Sequence, residues 1–433
     1  MNIILLSGGS GKRLWPLSND IRSKQFIKIF RTEDGYESMV QRIYRQIKTV
    51  DSEANVTIAT SRSQVSAINN QLGDSVGISI EPCRRDTFAA IALATAYLHD
   101  IKGIDRNEAV AVCPVDPYVE NSYFECVKKL YEEAGKGKAN LVLMGIEPIY
   151  PSEKYGYIKP AGNGYTFTEK PTAEKAAEYI AQGALWNGGV FAYKLSYVLD
   201  KSKELLGTDS YMKLFSEYEK LKKISFDYAV VENEKSLEVV KYSGTWKDLG
   251  TWNTLTEAIE ENSIGDARIT DSCSGVHVIN ELGIPMLVSG LKDVVVAASP
   301  DGILVCDKGQ SSYIKPYVDE IGQQVMYAEK SWGSYRVIDV EETSMTVKVT
   351  LNPGHRMNYH SHERRNEVWT VIQGSGITVI DGMEQPVRPG DVITMEAGCK
   401  HSVIAGNDGI QLIEVQLGKD ISVADKKKFE MPF

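Results

Sequence analysis

The chain opens on an uninterrupted apolar run, Ile3 to Leu6, which is stopped by Ser7 and two glycines. A short apolar run bounded by turn residues reads as a buried strand. Runs of the same kind return at residues 55–61 (NVTIATS), 108–116 (EAVAVCPVD) and 140–146 (NLVLMGI). Between them apolar positions recur with helical spacing at 88–99 (FAAIALATAYLH) and 123–137 (YFECVKKLYEEAGKG), the second ending at Gly135 or Gly137. Strands alternating with helices predict an α/β unit whose mostly parallel sheet is covered on both faces. Ligands in such sheets lie beyond the carboxyl ends of the strands, where the glycine loop after the first run and Asp116 both fall.

The pattern changes after about residue 265. Short Val/Ile-rich pieces punctuated by Gly and Pro replace the helical spacing, which predicts a small β-rich segment or connector. From about residue 326 short strands follow one another closely with glycine-rich turns, the pattern of a small barrel or sandwich. The expected division is therefore 1–265, 266–325 and 326–433, without internal repeats or a long low-complexity linker.

Length and charge narrow the function classes. A chain of 433 residues suggests two or three domains. A net charge of −10 excludes a non-specific nucleic-acid binder, although it leaves room for a small phosphorylated ligand held by a few local cations. Six scattered cysteines without a CxxC pair read as free thiols in a reducing cytosol. No secretory leader is visible, and no apolar run approaches the roughly 20 residues a membrane span needs. A cytoplasmic protein with no membrane partner is expected.

The loop SGGSGKRLWPLSN at 7–19 carries Gly8, Gly9 and Gly11 beside Lys12 and Arg13. Glycines after a strand let backbone N–H groups approach an anion, and two adjacent cations add to that pull. The Walker pattern fails, because Leu6 stands where its first glycine belongs and Arg13 where its metal-binding hydroxyl belongs. The dinucleotide GxGxxG pattern also fails, at Leu14.

With KQF at 24–26, the loop resembles the signature of sugar-1-phosphate nucleotidyltransferases, specifically the mannose-1-phosphate guanylyltransferases. The resemblance continues in order through EPCRRDTFAAIALA (81–94), CPVDPYV (113–119), YGYIK (155–159), FTEKP (167–171), WNGGVFAY (186–193), DYAVVE (227–232) and WKDLGTW (246–252). It implies a Rossmann-like domain with a mixed, mostly parallel sheet, and Mg2+-dependent transfer of a nucleotidyl group from GTP to mannose 1-phosphate. Joining two anions at an α-phosphorus places the chemical burden on neutralisation and in-line positioning. The resemblance assigns the nucleotide to Gly8, Gly9, Gly11, Lys12, Arg13, Glu81 and Arg85, and the reacting phosphate to Lys24. It assigns Mg2+ to Asp116 and Asp248, an oxygen-only pair that suits this ion, and the sugar phosphate to Gly156, Glu169, Lys170, Asn187 and Gly189. Catalysis falls to Arg13, Lys24, Asp116 and Asp248. The chain departs from the family pattern at Arg84 (Gly in the family), Asp86 (Asn), Lys12 (Ser/Thr) and Lys154 (Gly), so base and sugar choice are the open part of the reading.

Four of the six histidines lie between His355 and His401. From Gly354 the spacing G-x5-H-x-H-x4-E-x6-G runs through His360, His362, Glu367 and Gly374, and a later PGD segment leads to His401. This two-part signature resembles the cupins, and implies a C-terminal cupin β-barrel. His360 and His362 alternate onto one side of a strand. Three imidazoles and one carboxylate suit Zn2+ or another first-row divalent ion. A guanylyltransferase joined to a cupin resembles the bifunctional enzymes that also interconvert mannose 6-phosphate and fructose 6-phosphate. Asn366, Val368, Glu396 and the tail 419–429 depart from that pattern, with Arg356, Arg364, Arg365 and Lys400 as available substitutes. Two other readings stay open: a transferase for another base or sugar with a regulatory cupin, and a non-catalytic sugar-nucleotide sensor. A homo-oligomer also stays open, with the β connector and barrel edges as its available surfaces.

Overall fold

The computed structural model describes residues 1–9, 12–19, 21–162, 164–321, 325–419, 421–422 and 425–432, without the side chain of Lys12. The chain divides into two compact units. The first comprises Met1–Ser10, Lys24–Val65 and Leu72–Glu260, and the second Gly11–Ser23, Ser66–Gln71 and Glu261–Phe433.

The first unit is α/β. Its opening strand, Asn2–Ser7, pairs in parallel with Asn55–Ser61 on one side and Ala109–Pro114 on the other. Gly77–Glu81 extends the parallel core beyond Asn55–Ser61. The long strand Leu185–Lys194 enters antiparallel beside Ala109–Pro114 and makes the sheet mixed. Leu141–Ile146 joins it from the other side and pairs in parallel with Leu237–Tyr242. Helix Asn121–Lys136 ends where Gly137 takes a left-handed conformation (φ 67°), a cap that costs glycine no Cβ clash. Helix Asp86–Ala96 is buried on nearly every face, so it lacks the apolar stripe of a surface helix. It packs against Phe226, whose ring lies 6.3 Å from Phe88 and 4.9 Å from Phe191.

The second unit is mainly β. Ser263–Ile264, His277–Asn280 and Val294–Ser299 pair in parallel around a small core of Val276, Val278, Val288 and Val296. The Gly11–Ser23 segment packs within this unit. Ser299 donates its hydroxyl to the Pro16 carbonyl (2.7 Å), and Arg22 forms a two-point contact with Glu281 (2.7 and 2.9 Å). The C-terminal part is a curled antiparallel sheet of nine strands. Ser344–Leu351 shows why: Met345, Val347, Val349 and Leu351 alternate inward onto Trp369, Val371 and Leu412. All six cysteines are free. Among the described residues no helix is long and apolar enough to cross a membrane.

The aromatic cluster at Phe226 links helix 86–96 to the sheet, and Phe226 is fully buried. Phe226→Ala is expected to destabilise the first unit by about 3–5 kcal/mol. Urea unfolding followed by tryptophan fluorescence checks this, as an earlier transition for that unit.

Candidate active site and metal centre

Beyond the carboxyl end of the opening strand, Ser7 sits in a buried amide network. Its hydroxyl donates to Gln64 Oε1 (3.0 Å) and accepts from Gln25 Nε2 (3.0 Å), while Gln64 Nε2 reaches the Gly9 carbonyl (3.4 Å). This fixes the base of the glycine loop, where Gly9 has φ +99°, a conformation that favours glycine. Gly11 and the side chain of Lys12 lie outside the described residues. Arg13 is exposed and belongs to the second unit.

Lys24 starts a short helical turn whose other two residues, Gln25 and Phe26, are buried. Its ammonium lies 3.0 Å from Asp116 Oδ2 and 3.8 Å from Asp248 Oδ1, and donates to the Leu249 carbonyl (3.3 Å). The two aspartates meet because Trp246–Asp248 pairs antiparallel with Pro117–Val119, which sets Asp248 opposite Pro117. Their side chains are 40% and 49% exposed. Ion pairs that open to solvent contribute at most about 1 kcal/mol to folding, so stability does not account for this convergence. Two carboxylates aimed at one cation form an oxygen donor set that also fits Mg2+.

A cavity of about 260 Å³ adjoins this group and is lined by Asp116, Gly156, Glu169, Asn187, Gly189 and Asp248, with Lys154 and Asp227. A Cβ at Gly156 would fall 2.5 Å from Glu169 Oε2, so only glycine leaves that carboxylate in place. Lys170, at φ 44°, does not line the cavity; its ammonium pairs with Glu169 Oε1 (2.8 Å). Asn187 is held at both ends of its amide. Its Nδ2 donates to Asp227 Oδ1 (2.6 Å) and its Oδ1 accepts from the Gly189 N–H (3.1 Å). Burial, reinforced by the Glu169 charge, pushes the Asp227 carboxyl up to about 6 against the opposing pull of Asn187 and Lys170. The DYAVVE segment contains Asp227 without giving it a role in the sequence; only the tertiary fold brings it to Asn187.

Glu81 and Arg85 do not line this cavity. Tyr218 donates to Glu81 Oε2 (2.8 Å), and Arg85 Nε donates to the Glu219 carbonyl (3.0 Å). Asp86 sits at φ 67°, a region that Asp and Asn tolerate better than other non-glycine residues, so its departure from the family Asn keeps the local backbone.

The second centre lies in the curled sheet. His360 and His401 face each other across paired strands, and His362 follows one residue after the strand His360–Ser361. Each ring has Nδ1 on a backbone carbonyl: Asn358 for His360 (2.6 Å), Asp425 for His362 (2.7 Å) and Cys399 for His401 (3.1 Å). A carbonyl only accepts, so Nδ1 carries the proton and Nε2 keeps its lone pair, the tautomer of a metal-binding histidine. One ligand atom from each of the three histidines lies within 4.8 Å of the others. Glu367 Oε1 is 3.2 Å from His362 Nε2, and Oε2 is 3.3 Å from His401 Nε2. Among the described residues Glu367 is the group that the buried His401 Nε2 approaches. Burial lowers His360 to about 2, with Lys426 adding to the effect, and lowers His362 to about 4. Both rings are neutral at pH 7. Unprotonated nitrogens converging beside a carboxylate fit a divalent ion.

An adjoining cavity of about 640 Å³ is lined by His360 and Arg365, by Lys330, Lys426 and Lys428, and by Glu414. Burial and the nearby Glu367 charge push the Glu414 carboxyl up to about 7. Neither Glu414 nor these lysines were singled out from the sequence.

Residues 2–263 match the model of the nucleotidyl transferase family, and residues 347–415 that of the cupin domain. A mannose-1-phosphate guanylyltransferase of Salmonella montevideo is 27% identical over 479 residues, covering 98% of this chain and 98% of its own. The xanthan biosynthesis protein XanB of Xanthomonas campestris pv. campestris (strain B100) is 30% identical over 467 residues, covering 99% of this chain and 97% of its own. The crystal structure of a mannose-1-phosphate geranyltransferase from Thermus thermophilus has a TM-score of 0.61 at 26% identity, covering 74% of this chain and 99% of that one.

The raised carboxyl of Asp227 makes a stability prediction. Between about pH 4 and 6 the folded state keeps a proton on Asp227 that the unfolded chain has released. This contribution is complete below the unfolded pKa and is lost as pH rises through about 6. Asp227→Asn is expected to flatten that part of the profile, checked by urea midpoints from pH 3.5 to 7 for both proteins.

Proposed function

This chain belongs to the nucleotidyl transferase family and carries a cupin domain near its C-terminal end; on that premise we propose that it joins GTP and mannose 1-phosphate into GDP-mannose and pyrophosphate. The observation that carries the reading is the Lys24–Asp116–Asp248 group beside a cavity whose polar lining suits a sugar. A phosphate oxygen of the sugar phosphate attacks the α-phosphorus of GTP, and the bond from that phosphorus to the α,β-bridging oxygen breaks. Pyrophosphate leaves with that oxygen.

The backbone at Gly8, Gly9 and Gly11 takes the triphosphate, with Lys12 and Arg13 neutralising the leaving group. Lys24 holds the reacting phosphate in line. Asp116 and Asp248 would hold Mg2+, which would supply charge neutralisation to the reacting phosphates. Glu169 accepts hydrogen bonds from sugar hydroxyls, oriented by Lys170 and by the close packing at Gly156. Asn187, fixed by Asp227 and Gly189, supplies a second hydroxyl contact. Glu81 and Arg85 are the proposed base-side residues. The proposed division is transferase 1–265, β connector 266–325 and cupin 326–433.

For the cupin we propose interconversion of mannose 6-phosphate and fructose 6-phosphate, with Zn2+ or another divalent ion held by His360, His362, Glu367 and His401. The bound ion would polarise the carbonyl and hydroxyl oxygens of the open-chain sugar. Aldose–ketose exchange moves a proton between neighbouring carbons, which calls for a group that titrates near neutrality. Glu414, a buried carboxyl that lines the same cavity as His360 and is raised by burial, is the proposed proton carrier, and the three cavity lysines are the proposed phosphate contact. A homo-oligomer in the cytoplasm completes the reading.

Pyrophosphate release measured for the common nucleoside triphosphates against mannose, glucose and fucose 1-phosphates should peak at GTP with mannose 1-phosphate. A peak elsewhere would move the substrate and implicate Arg84, Asp86 and Lys154. Arg13→Ala should lower turnover about 100-fold or more while sugar phosphate binding persists; unchanged turnover would remove Arg13 from the reaction. His360→Ala should abolish metal-dependent conversion of fructose 6-phosphate. Absence of that conversion in the unsubstituted protein would leave the cupin as a regulatory module.

A further inference from the structure

The second centre contains a cation of its own. Arg365 follows His362 by three residues and is 8% exposed, and its guanidinium engages three partners. Nε donates to Glu367 Oε1 (2.8 Å), Nη1 to the Ser422 carbonyl (3.2 Å) and Nη2 to His362 Nε2 (2.9 Å). The third contact is exclusive. His362 has committed Nδ1–H to the Asp425 carbonyl, so Nε2 offers one in-plane lone pair. A carboxylate oxygen can serve a guanidinium and a metal together, because it has lone pairs to spare. An imidazole nitrogen cannot. Its lone pair is taken either by the Arg365 N–H or by a metal ion.

From this geometry we infer that Arg365 is an internal competitor for the cupin metal, holding His362 until it is displaced, so that loading requires the guanidinium to leave that nitrogen. This rests on the reading of the histidine cluster as a metal centre. Two further features fit it. Among the described residues Arg365 hydrogen-bonds to His362 and not to His360 or His401, whose Nε2 lies 3.3 Å from Glu367 Oε2, so the competition falls on one imidazole rather than on all three. The cavity lined by Arg365 also gives the guanidinium a place to turn. The same cavity is lined by Lys330, Lys426 and Lys428 and by one carboxylate, Glu414, so three cations outnumber one anion around a displaced guanidinium and favour its return to His362 when the metal is gone.

The test is a Co2+ titration of the full-length protein, stripped with chelator beforehand. Affinity is measured by competition with a chromophoric chelator, and Co2+ absorption bands report the ligand set. Arg365→Met removes all three donors and keeps an unbranched side chain in the space. It is expected to bind Co2+ at least tenfold more tightly than the unsubstituted protein, and Co2+ should raise its melting temperature by a larger margin. Arg365→Lys keeps a positive charge but loses the planar fork that reaches Glu367 and His362 together. It should also bind more tightly than the unsubstituted protein, by a smaller factor, and it decides the matter if the methionine variant does not fold. Equal or weaker affinity in the folded variants would overturn the competition while leaving the metal centre intact. Absence of Co2+ binding in every protein, the unsubstituted one included, would overturn the metal reading and the competition together.

Discussion

Acceptor groups brought close together must share a cation, and both centres of this molecule are arranged around that constraint. Two unit charges about 4 Å apart interact by about 4 kcal/mol at an effective dielectric constant near 20. Asp116 and Asp248 are partly exposed, so solvent screens their repulsion well below that scale, and the Lys24 ammonium at 3.0 and 3.8 Å offsets what remains. In the second unit Glu367 meets two imidazole nitrogens at 3.2 and 3.3 Å, and Arg365 supplies the positive charge. In each case the scaffold forces oxygen or nitrogen lone pairs onto one point, and a basic side chain from nearby in the same unit relieves the strain. Carboxylate pairs and imidazole–carboxylate clusters of this composition are the donor sets that divalent ions take.

The scaffolding that creates these points is ordinary packing. The parallel strands of the first unit end together, and Asp116 follows the end of Ala109–Pro114. A two-strand pairing then imports Asp248 from far along the chain. The sugar-side cavity is held by a different device, a chain of hydrogen bonds in which Asp227 fixes Asn187 and Asn187 engages Gly189. In the cupin the rigid elements are backbone carbonyls. Each of three carbonyls takes one Nδ1 proton and so selects the tautomer that leaves Nε2 available. The histidine tautomers there are therefore set by main-chain geometry.

Parts of this were legible in the sequence because they depend on local spacing. The opening strand and a helix near 88–99 follow from their apolar runs, the α-helix itself spanning Asp86–Ala96, and of the two glycine stops read at 135 and 137 the structure uses Gly137. The H-x-H-x4-E spacing foretold that His360, His362 and Glu367 would gather, since a strand and a short return confine them. The less legible parts depend on contacts between distant segments. Nothing near Asp248 announces that its strand will lie beside Pro117. Nothing near Asp227 or Glu414 distinguishes them from other carboxylates until burial raises their pKa values. The antiparallel entry of Leu185–Lys194 was also hidden, because its WNGG segment breaks the apolar run that marks a strand. Arg365 shows the same limit, for its sequence neighbours suggest a surface charge while the fold buries it against His362.

If the carboxylate pair around Lys24 is the reaction centre, removing one carboxylate must slow nucleotidyl transfer. Pyrophosphate release from GTP and mannose 1-phosphate with Mg2+, compared between the unsubstituted protein and Asp248→Asn at saturating substrate, tests it most directly. The substitution is nearly isosteric at a half-exposed side chain, so the fold should survive it. A loss of turnover of about 100-fold or more is expected, with Co2+ binding by the cupin unchanged. Turnover within a few-fold of the unsubstituted protein would contradict it, and would place the chemistry away from this pair.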